Sequence, residues 1–248
     1  MKFLAIIPAR YASTRFPGKP LAIIKGKPMI QRVYEQTIQA FENVCVATDD
    51  KRIYDAVIGF GGKVVMTSSA HNSGTDRCLE ALKNYSADSG QTFDIVINVQ
   101  GDEPYIHPMQ LKQLSECFND SNVNLATLIK KVKNKEELFN YNMPKVIVDK
   151  NCDAIYFSRT PIPFPRDIAV TEHFINNTSF YRHIGLYGYR VTTLLHICNM
   201  EQSFLEKTEK LEQLRWIENG LKIRTKETKY ETYAVDTPHD LDFLNSII

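Results

Sequence analysis

Residues 3–7 (Phe-Leu-Ala-Ile-Ile) are apolar without a break, and such a run predicts a strand buried on both faces, as in a parallel sheet. A polar segment containing Pro8, Pro17, Gly18 and Pro20 follows it. Between 29 and 41 the apolar residues Met29, Ile30, Val33, Ile38 and Phe41 fall at helical spacing. The same alternation then repeats. Residues 44–47 form a second short apolar run, and Asp50 offers an N-cap for a helix through Ile53, Ala56 and Val57. Gly59, Gly61 and Gly62 close that helix. A third strand is expected at 64–66, a helix at 75–85 and a fourth strand at 95–99. This alternation predicts a doubly wound, mostly parallel α/β sheet of Rossmann-like type. Ligands in such sheets sit beyond the carboxyl ends of the strands. Three polar segments are expected there: 8–19, 71–77 and 100–104.

The second half is less regular. Strands are expected at 146–148, 154–157 and 184–189, with a rigid proline loop at 161–165. A helix is expected over 205–218, closed near Gly220, then a short strand at 232–235. Asp236, Thr237 and Pro238 would open the final helix, with Asp236 as its cap. The segment 168–179 is polar and carries no usable pattern. With no internal repeat or flexible linker, the chain is expected to be a single α/β domain. Within it, 1–130 would form the nucleotide-binding core, 131–230 a smaller mixed lobe, and 231–248 a return to the core.

Composition narrows the function classes. Hydrophobic residues make up 43% of the 248, enough for a sizeable core. A net charge of +1 supplies no overall field for nucleic acid or an anionic membrane. A small anionic ligand needs only a local basic pocket. The cysteines (Cys45, Cys78, Cys117, Cys152 and Cys198) are scattered, odd in number and without a C-x-x-C pair, which points to a reducing compartment and to neither a disulfide framework nor a zinc site. The apolar start is too short for a signal peptide, and no run approaches membrane-spanning length. The expected location is cytoplasmic.

Segment 8–19 carries the first candidate chemistry. Arg10, Arg15 and Lys19, the hydroxyls of Ser13 and Thr14, and Gly18 all follow a buried strand. Backbone N–H groups in such a turn form an anion-binding concavity, and Arg and Lys add charge. The pattern is neither the P-loop nor the dinucleotide fingerprint. A solvated basic loop is the bland reading, and the order strand, Arg, Arg, Pro-Gly-Lys argues against it. Asp102, in Gln100-Gly101-Asp102-Glu103-Pro104, stands where a carboxylate beside a phosphate loop would hold Mg2+, although a simple turn explains it equally well. Asp236 reads either as a helix cap or as a second metal carboxylate. Ser73 and Thr75 either cap a helix or let a ribose or base approach closely. Residues 180–190 alternate like a strand with one polar face, and 211–215 (Leu-Glu-Gln-Leu-Arg) interrupt an amphipathic helix.

In this order, the motifs I-I-P-A-R-Y-A-S-T-R-F-P-G-K-P-L, S-G-T-D-R, N-V-Q-G-D-E-P, Y-F-S-R, F-Y-R-H-I-G-L-Y-G-Y-R, L-E-Q-L-R and V-D-T-P-H-D-L resemble the 3-deoxy-manno-octulosonate (Kdo) cytidylyltransferase family over essentially the whole chain. The resemblance implies transfer of CMP from CTP to Kdo, release of pyrophosphate, a Mg2+ cofactor, and a homodimer contacting through the second lobe. It also implies a place in lipopolysaccharide synthesis. Catalytic roles would fall to Lys19, Arg10, Asp102 and Asp236, with Asp102 and Asp236 on the metal. Ala9, Arg10, Ser13, Arg15, Lys19, Ser73, Thr75 and Gln100 would line the nucleotide. Arg77, Gln100, Arg159, His183, Tyr187, Glu212 and Gln213 would receive the sugar acid. Asp76 stands where relatives usually carry Glu, and Gly188 where Ala is common. Two other readings stay open at this point: a cytidylyltransferase for another sugar acid, such as 8-amino-Kdo or a sialate-like acid, and a catalytically inactive CTP-binding paralogue.

Overall fold

The computed structural model describes residues 1–12 and 16–247. The expected ligands Ser13 and Arg15 lie outside the described residues. Along the chain the strands and helices are β1 (Phe3–Ala9), β2 (Ile23–Ile24), β3 (Lys27–Pro28), α1 (Met29–Thr37), β4 (Val44–Thr48), α2 (Lys51–Gly59), β5 (Val64–Met66), α3 (Gly74–Ser89), β6 (Ile95–Asn98), α4 (Pro108–Glu116), β7 (Leu125–Lys131), α5 (Lys135–Phe139), β8 (Lys145–Val148), β9 (Ala154–Ser158), α6 (Glu172–Asn176), β10 (Tyr181–Arg190), α7 (Val191–Ile197), α8 (Phe204–Glu209), α9 (Gln213–Glu218), β11 (Arg224–Glu227) and α10 (Pro238–Ile247). They form a mixed α/β fold whose strands are mostly parallel. Among the described residues no helix is long and apolar enough to cross a membrane.

The chain divides into two compact units. Unit one is Met1–Lys112, Gly188–Cys198 and Tyr230–Ile248. Its sheet contains β6, β1, β4 and β5 in spatial order, all parallel, with Phe3 opposite Ile95, Ala5 opposite Val44 and Val46 opposite Val64. The unbroken apolar runs follow from this placement. Leu4, Ile6, Val46 and Ile97 are fully buried, because the side chains on both faces of these strands are covered. Parallel strands all end at one edge, so the loops after β1, β4, β5 and β6 meet there. Local chemistry starts the helices. Asp50 accepts from the Arg52 N–H at 2.9 Å, and Ser73 accepts from the Asp76 N–H at 3.1 Å. A second cluster in this unit joins Ile24 and Met29 to Val235 and Leu244. That apolar contact brings the late residues of the chain back against the segment that follows β1.

Unit two is Gln113–Tyr187 and Asn199–Lys229. β11 pairs in parallel with β7, while β8 lies antiparallel to both β10 and β9. Trp216, Phe157 and Leu186 are fully buried in it.

Several local expectations need correction. The helix expected over 205–218 is two helices, α8 and α9, separated at Lys210. That residue sits in the left-handed region (φ 54°) and caps α8 through its N–H to the Glu206 carbonyl at 2.8 Å. The carbonyls of Glu209 and Lys210, which a continuing helix would use, accept instead from Arg159 (2.6 and 3.1 Å). No strand forms at 232–235; the segment makes one ladder-like bond there, from the Val235 N–H to the Asp102 carbonyl (2.9 Å). Asp236 does not cap α10. Thr237 accepts from the Asp240 N–H at 3.3 Å, and the Asp240 carboxylate takes the N–H groups of Asp236 and Thr237 at 3.0 and 2.8 Å. This reciprocal box leaves the Asp236 carboxylate to other work. Strands β7 and β11 fall where no strand is expected, and α1 stops at Thr37 rather than reaching 41.

Lys210→Gly keeps the carbonyl that Arg159 uses and removes the left-handed penalty on a side-chain-bearing residue, partly offset by the greater freedom of glycine when unfolded. It is expected to raise stability by about 0.5 kcal/mol, seen as a higher urea midpoint at unchanged slope.

Candidate active site

At the carboxyl edge of the unit-one sheet lies a cleft of about 350 Å³. Pro8, Ala9 and Arg10 line it from the end of β1, and Gln100, Gly101 and Asp102 from the loop after β6. Ser73 and Gly74 contribute the N-terminus of α3, Lys19 the segment after β1, and Asp236 the approach to α10.

Lys19 is the centre of its charge arrangement. Its ammonium donates to Asp102 Oδ2 at 2.7 Å and to Asp236 Oδ1 at 3.4 Å. Its side chain is only 15% exposed, so the pair is shielded from water on most sides. The formal charges, one cation against two carboxylates, leave a net of −1. Magnesium is usually held by one or two carboxylates plus substrate phosphates and waters. Two converging carboxylates in a cleft with basic walls fit that pattern. Among the described residues no group of three or more His, Cys, Asp or Glu side chains forms a metal cage. A two-carboxylate site would therefore take its remaining ligands from phosphate and water.

Backbone geometry fixes these groups. A Cβ added to Gly101 would stand 2.8 Å from the Pro8 carbonyl oxygen, so the loops after β1 and β6 approach closely only because residue 101 has no side chain. The Val235 N–H to Asp102 carbonyl bond ties the approach to α10 onto the same loop. Gly18 (φ 73°) donates its N–H to the Tyr11 carbonyl at 2.9 Å, and the Arg52 guanidinium lies 3.3 Å over the Tyr11 ring while pairing with Asp50 at 2.7 Å. Together these contacts anchor both ends of the basic segment after β1.

The other expected nucleotide residues separate by role. Ala9, Arg10, Lys19, Ser73 and Gln100 all line the cleft, and Arg10 is exposed. Ser73 is also the cap of α3, and its hydroxyl donates to Asp76 Oδ2 at 2.9 Å. Thr75 is buried one residue inside α3. Arg77 reaches the cleft wall, yet its guanidinium donates to Thr67 Oγ1 at 2.7 Å and to Asp49 Oδ2 at 3.1 Å. Asp49 and Thr67, at the ends of β4 and β5, thus hold the orientation of Arg77. Sequence reasoning passed over both. His71, also in the wall, pairs with Glu80 of α3. The only signal for Asp49 in the sequence was its place directly after an apolar run.

A second group gathers in unit two. Arg159 donates to the backbone carbonyls of Tyr141 (3.0 Å), Glu209 (2.6 Å) and Lys210 (3.1 Å), so it is held by the turn that leads into Glu212 and Gln213. His183 packs against Phe157 and Tyr187, with ring centroids 5.1 and 5.2 Å away, and Tyr187 meets Trp216 edge-on at 5.0 Å. Burial pushes the His183 pKa down to about 3, so its imidazole is neutral at physiological pH. Burial, and then the charge of Glu212, raise the Tyr187 phenol well above its ordinary value, so it stays protonated. Glu212 accepts from Arg215 at 3.3 Å. Gln213 is buried, and its Nε2 has no hydrogen-bond partner among the described residues. An unpaired buried donor costs about 1–3 kcal/mol, a cost that a bound acceptor would offset. Lys145 is a buried cation that sequence reasoning missed. Its ammonium donates to the Asn140 and Met143 carbonyls at 2.7 Å each, and burial, then the nearby Arg159 charge, bring its pKa down to about 8.

Residues 4–223 match the model of a family described as cytidylyltransferase, and the chain belongs to that family. It is thus a nucleotidyltransferase. Its curated relatives narrow the class. The chain is 54% identical over 246 residues, covering 98% of this chain and 96% of the relative, to a 3-deoxy-manno-octulosonate cytidylyltransferase of Parabacteroides distasonis. It is 53% identical to the protein of the same name from Bacteroides thetaiotaomicron, over 97% of this chain and 96% of that one. A solved structure titled as CMP:2-keto-3-deoxy-manno-octonic acid synthetase complexed with CTP superposes with a TM-score of 0.88 at 41% identity, covering 100% of this chain and 98% of that one.

The depressed His183 pKa has a signed consequence. Between about pH 6.5, the ordinary histidine value, and pH 3 the unfolded chain binds a proton at this position that the folded chain does not. Stability from this residue is therefore complete above pH 6.5 and lost as pH falls toward 3. The urea midpoint of the native protein should fall more steeply across that window than that of His183→Gln, and equal slopes would remove burial as the cause.

Proposed function

We propose that this protein is a CTP:Kdo cytidylyltransferase, forming CMP-Kdo and pyrophosphate. The observation that carries the reading is the Lys19 ammonium between Asp102 and Asp236 in the cleft. The relatives named for this reaction support the choice of sugar acid.

In the reaction the anomeric hydroxyl oxygen of Kdo attacks the α-phosphorus of CTP. A new P–O bond forms, the bond to the β-phosphate bridging oxygen breaks, and pyrophosphate leaves with that electron pair while the hydroxyl proton passes to solvent. Such chemistry asks the protein mainly for positioning and charge neutralisation. Arg10 and Lys19 bind the triphosphate, with Arg15 and Ser13 from the same segment. Ala9, Ser73, Thr75 and Gln100 shape the nucleotide pocket. Asp102 and Asp236 would hold Mg2+. When bound, that ion would offset phosphate charge and lower the pKa of the attacking hydroxyl. As phosphates bring negative charge, Lys19 exchanges part of its bonding with the two carboxylates for bonding with phosphate oxygen.

In unit two, Arg159 takes the sugar-acid carboxylate, and His183, Tyr187, Glu212 and Gln213 its hydroxyls. A neutral imidazole, a protonated phenol and an amide suit hydroxyl partners, which both donate and accept. Exposed Ile155, Phe164 and Ile168 in unit two support a homodimer formed through that unit. The five free cysteines support a cytoplasmic location, with the product feeding lipopolysaccharide synthesis.

The direct test is pyrophosphate release from CTP, Kdo and Mg2+. Asp102→Ala and Asp236→Ala should each lower kcat by at least about a hundredfold, the scale of losing one electrostatic stabiliser, while the folded signal persists. Near-normal turnover in either would remove that carboxylate from the site. Arg159→Ala should raise KM for Kdo about tenfold or more and leave KM for CTP nearly unchanged, because the lost bonds are charge-assisted. The opposite split would place Arg159 on the nucleotide.

A further inference from the structure

Thr127 lies in β7, fully buried in unit two, and nothing in the sequence marks it for function. Its hydroxyl oxygen stands 2.6 Å from the Leu186 carbonyl, 3.2 Å from the Ile184 carbonyl and 2.9 Å from His183 Nε2. A hydroxyl carries one hydrogen, and carbonyls only accept. The hydrogen therefore goes to a carbonyl, and the 2.6 Å approach selects Leu186. The lone pair that remains faces His183 Nε2, so Nε2 must carry the hydrogen of this second bond. The other tautomer would require Thr127 to turn its hydrogen toward the ring. Its oxygen would then face the Leu186 carbonyl oxygen at 2.6 Å with no proton between them. A β-branched side chain fixed in a sheet has little freedom to escape that contact.

We infer that Thr127 is a positioning residue for the sugar-acid site: it holds His183 as the Nε2–H tautomer and so makes Nδ1 a hydrogen-bond acceptor for a sugar hydroxyl. This rests on the assignment of the unit-two group to the sugar acid. Among the described residues His183 Nδ1 makes no hydrogen bond, and the residue as a whole is only partly buried. The imidazole is clamped in place. Its backbone N–H donates to the Pro144 carbonyl at 2.8 Å, and Phe157 and Tyr187 pack against the ring. Burial keeps it neutral, so the second nitrogen stays unprotonated. Gln213 Nε2 supplies an unpaired donor in the same unit. Acceptor and donor together match a polyhydroxylated ligand, and an analogue lacking the facing hydroxyl would leave Nδ1 unmet.

Histidine-selective 15N NMR of the native protein should show Nε2 protonated and Nδ1 bare at neutral pH. The reverse assignment overturns the inference without any variant. Thr127→Val keeps the shape and removes the acceptor. It is expected to shift the His183 tautomer signal and to raise KM for Kdo about five- to tenfold, with KM for CTP and kcat little changed, while Thr127→Ser restores both readouts. An unchanged KM for Kdo in a folded Thr127→Val protein, or a serine variant that fails to rescue, would also overturn it. Should the native protein release no pyrophosphate from CTP and Kdo, the functional assignment fails, whereas the NMR result judges the Thr127–His183 geometry separately.

Discussion

Everything in the unit-one cleft depends on one ammonium group meeting two carboxylates. Asp102 and Asp236 lie 83 and 217 positions beyond Lys19 along the chain, yet the lysine bonds both acids. Left unpaired in a partly buried wall, either charge would be costly to desolvate. The parallel sheet places the first two at one edge, and an apolar cluster with a single backbone bond returns the third. The charges that hold this cleft together are the same ones an incoming anion would engage, so the internal pairs and such a ligand would compete for the same side chains.

Unit two solves a different problem. Its expected sugar-acid residues are held mostly by backbone carbonyls and rings, with one opposed-charge contact, Arg215 to Glu212. Arg159 closes the turn between α8 and α9, and that turn delivers Glu212 and Gln213. The broken helix is therefore part of how the group is arranged. Lys145 supports the same corner from the other side, through two carbonyls of the turn before β8. The Arg159 guanidinium, bound by carbonyls rather than by acids, is not neutralised by an internal carboxylate, which suits a ligand that brings one.

Much of this was legible in the sequence, and the limits have physical causes. Unbroken apolar runs marked β1, β4 and β6 because burial on both faces leaves a strand no polar positions. The basic segment after β1 and the acid after β6 were visible because the edge of a parallel sheet concentrates ligand chemistry. Asp236 was ambiguous, since an aspartate before Thr-Pro is as good a cap as a ligand; the Thr237–Asp240 box removes the cap reading. β7 was missed because its apolar run, Leu125 to Ile129, is broken by Thr127 and cut short by Lys130 and Lys131, although Lys130 is buried. Thr127 and Thr67 left no trace, and Asp49 only its place after an apolar run. Each acts by orienting another side chain, and that depends on neighbours distant in sequence.

The bond from Val235 to Asp102 carries a consequence for how the molecule is made. The strand edge, the basic segment and Asp102 are all translated within the first 102 residues, while Asp236 emerges only after all of unit two. On the ribosome, the early residues can build the sheet and present a cationic groove that is still missing its second acid. The charge arrangement around Lys19 is then completed in a late step, when the returning segment docks onto a surface prepared more than a hundred residues earlier.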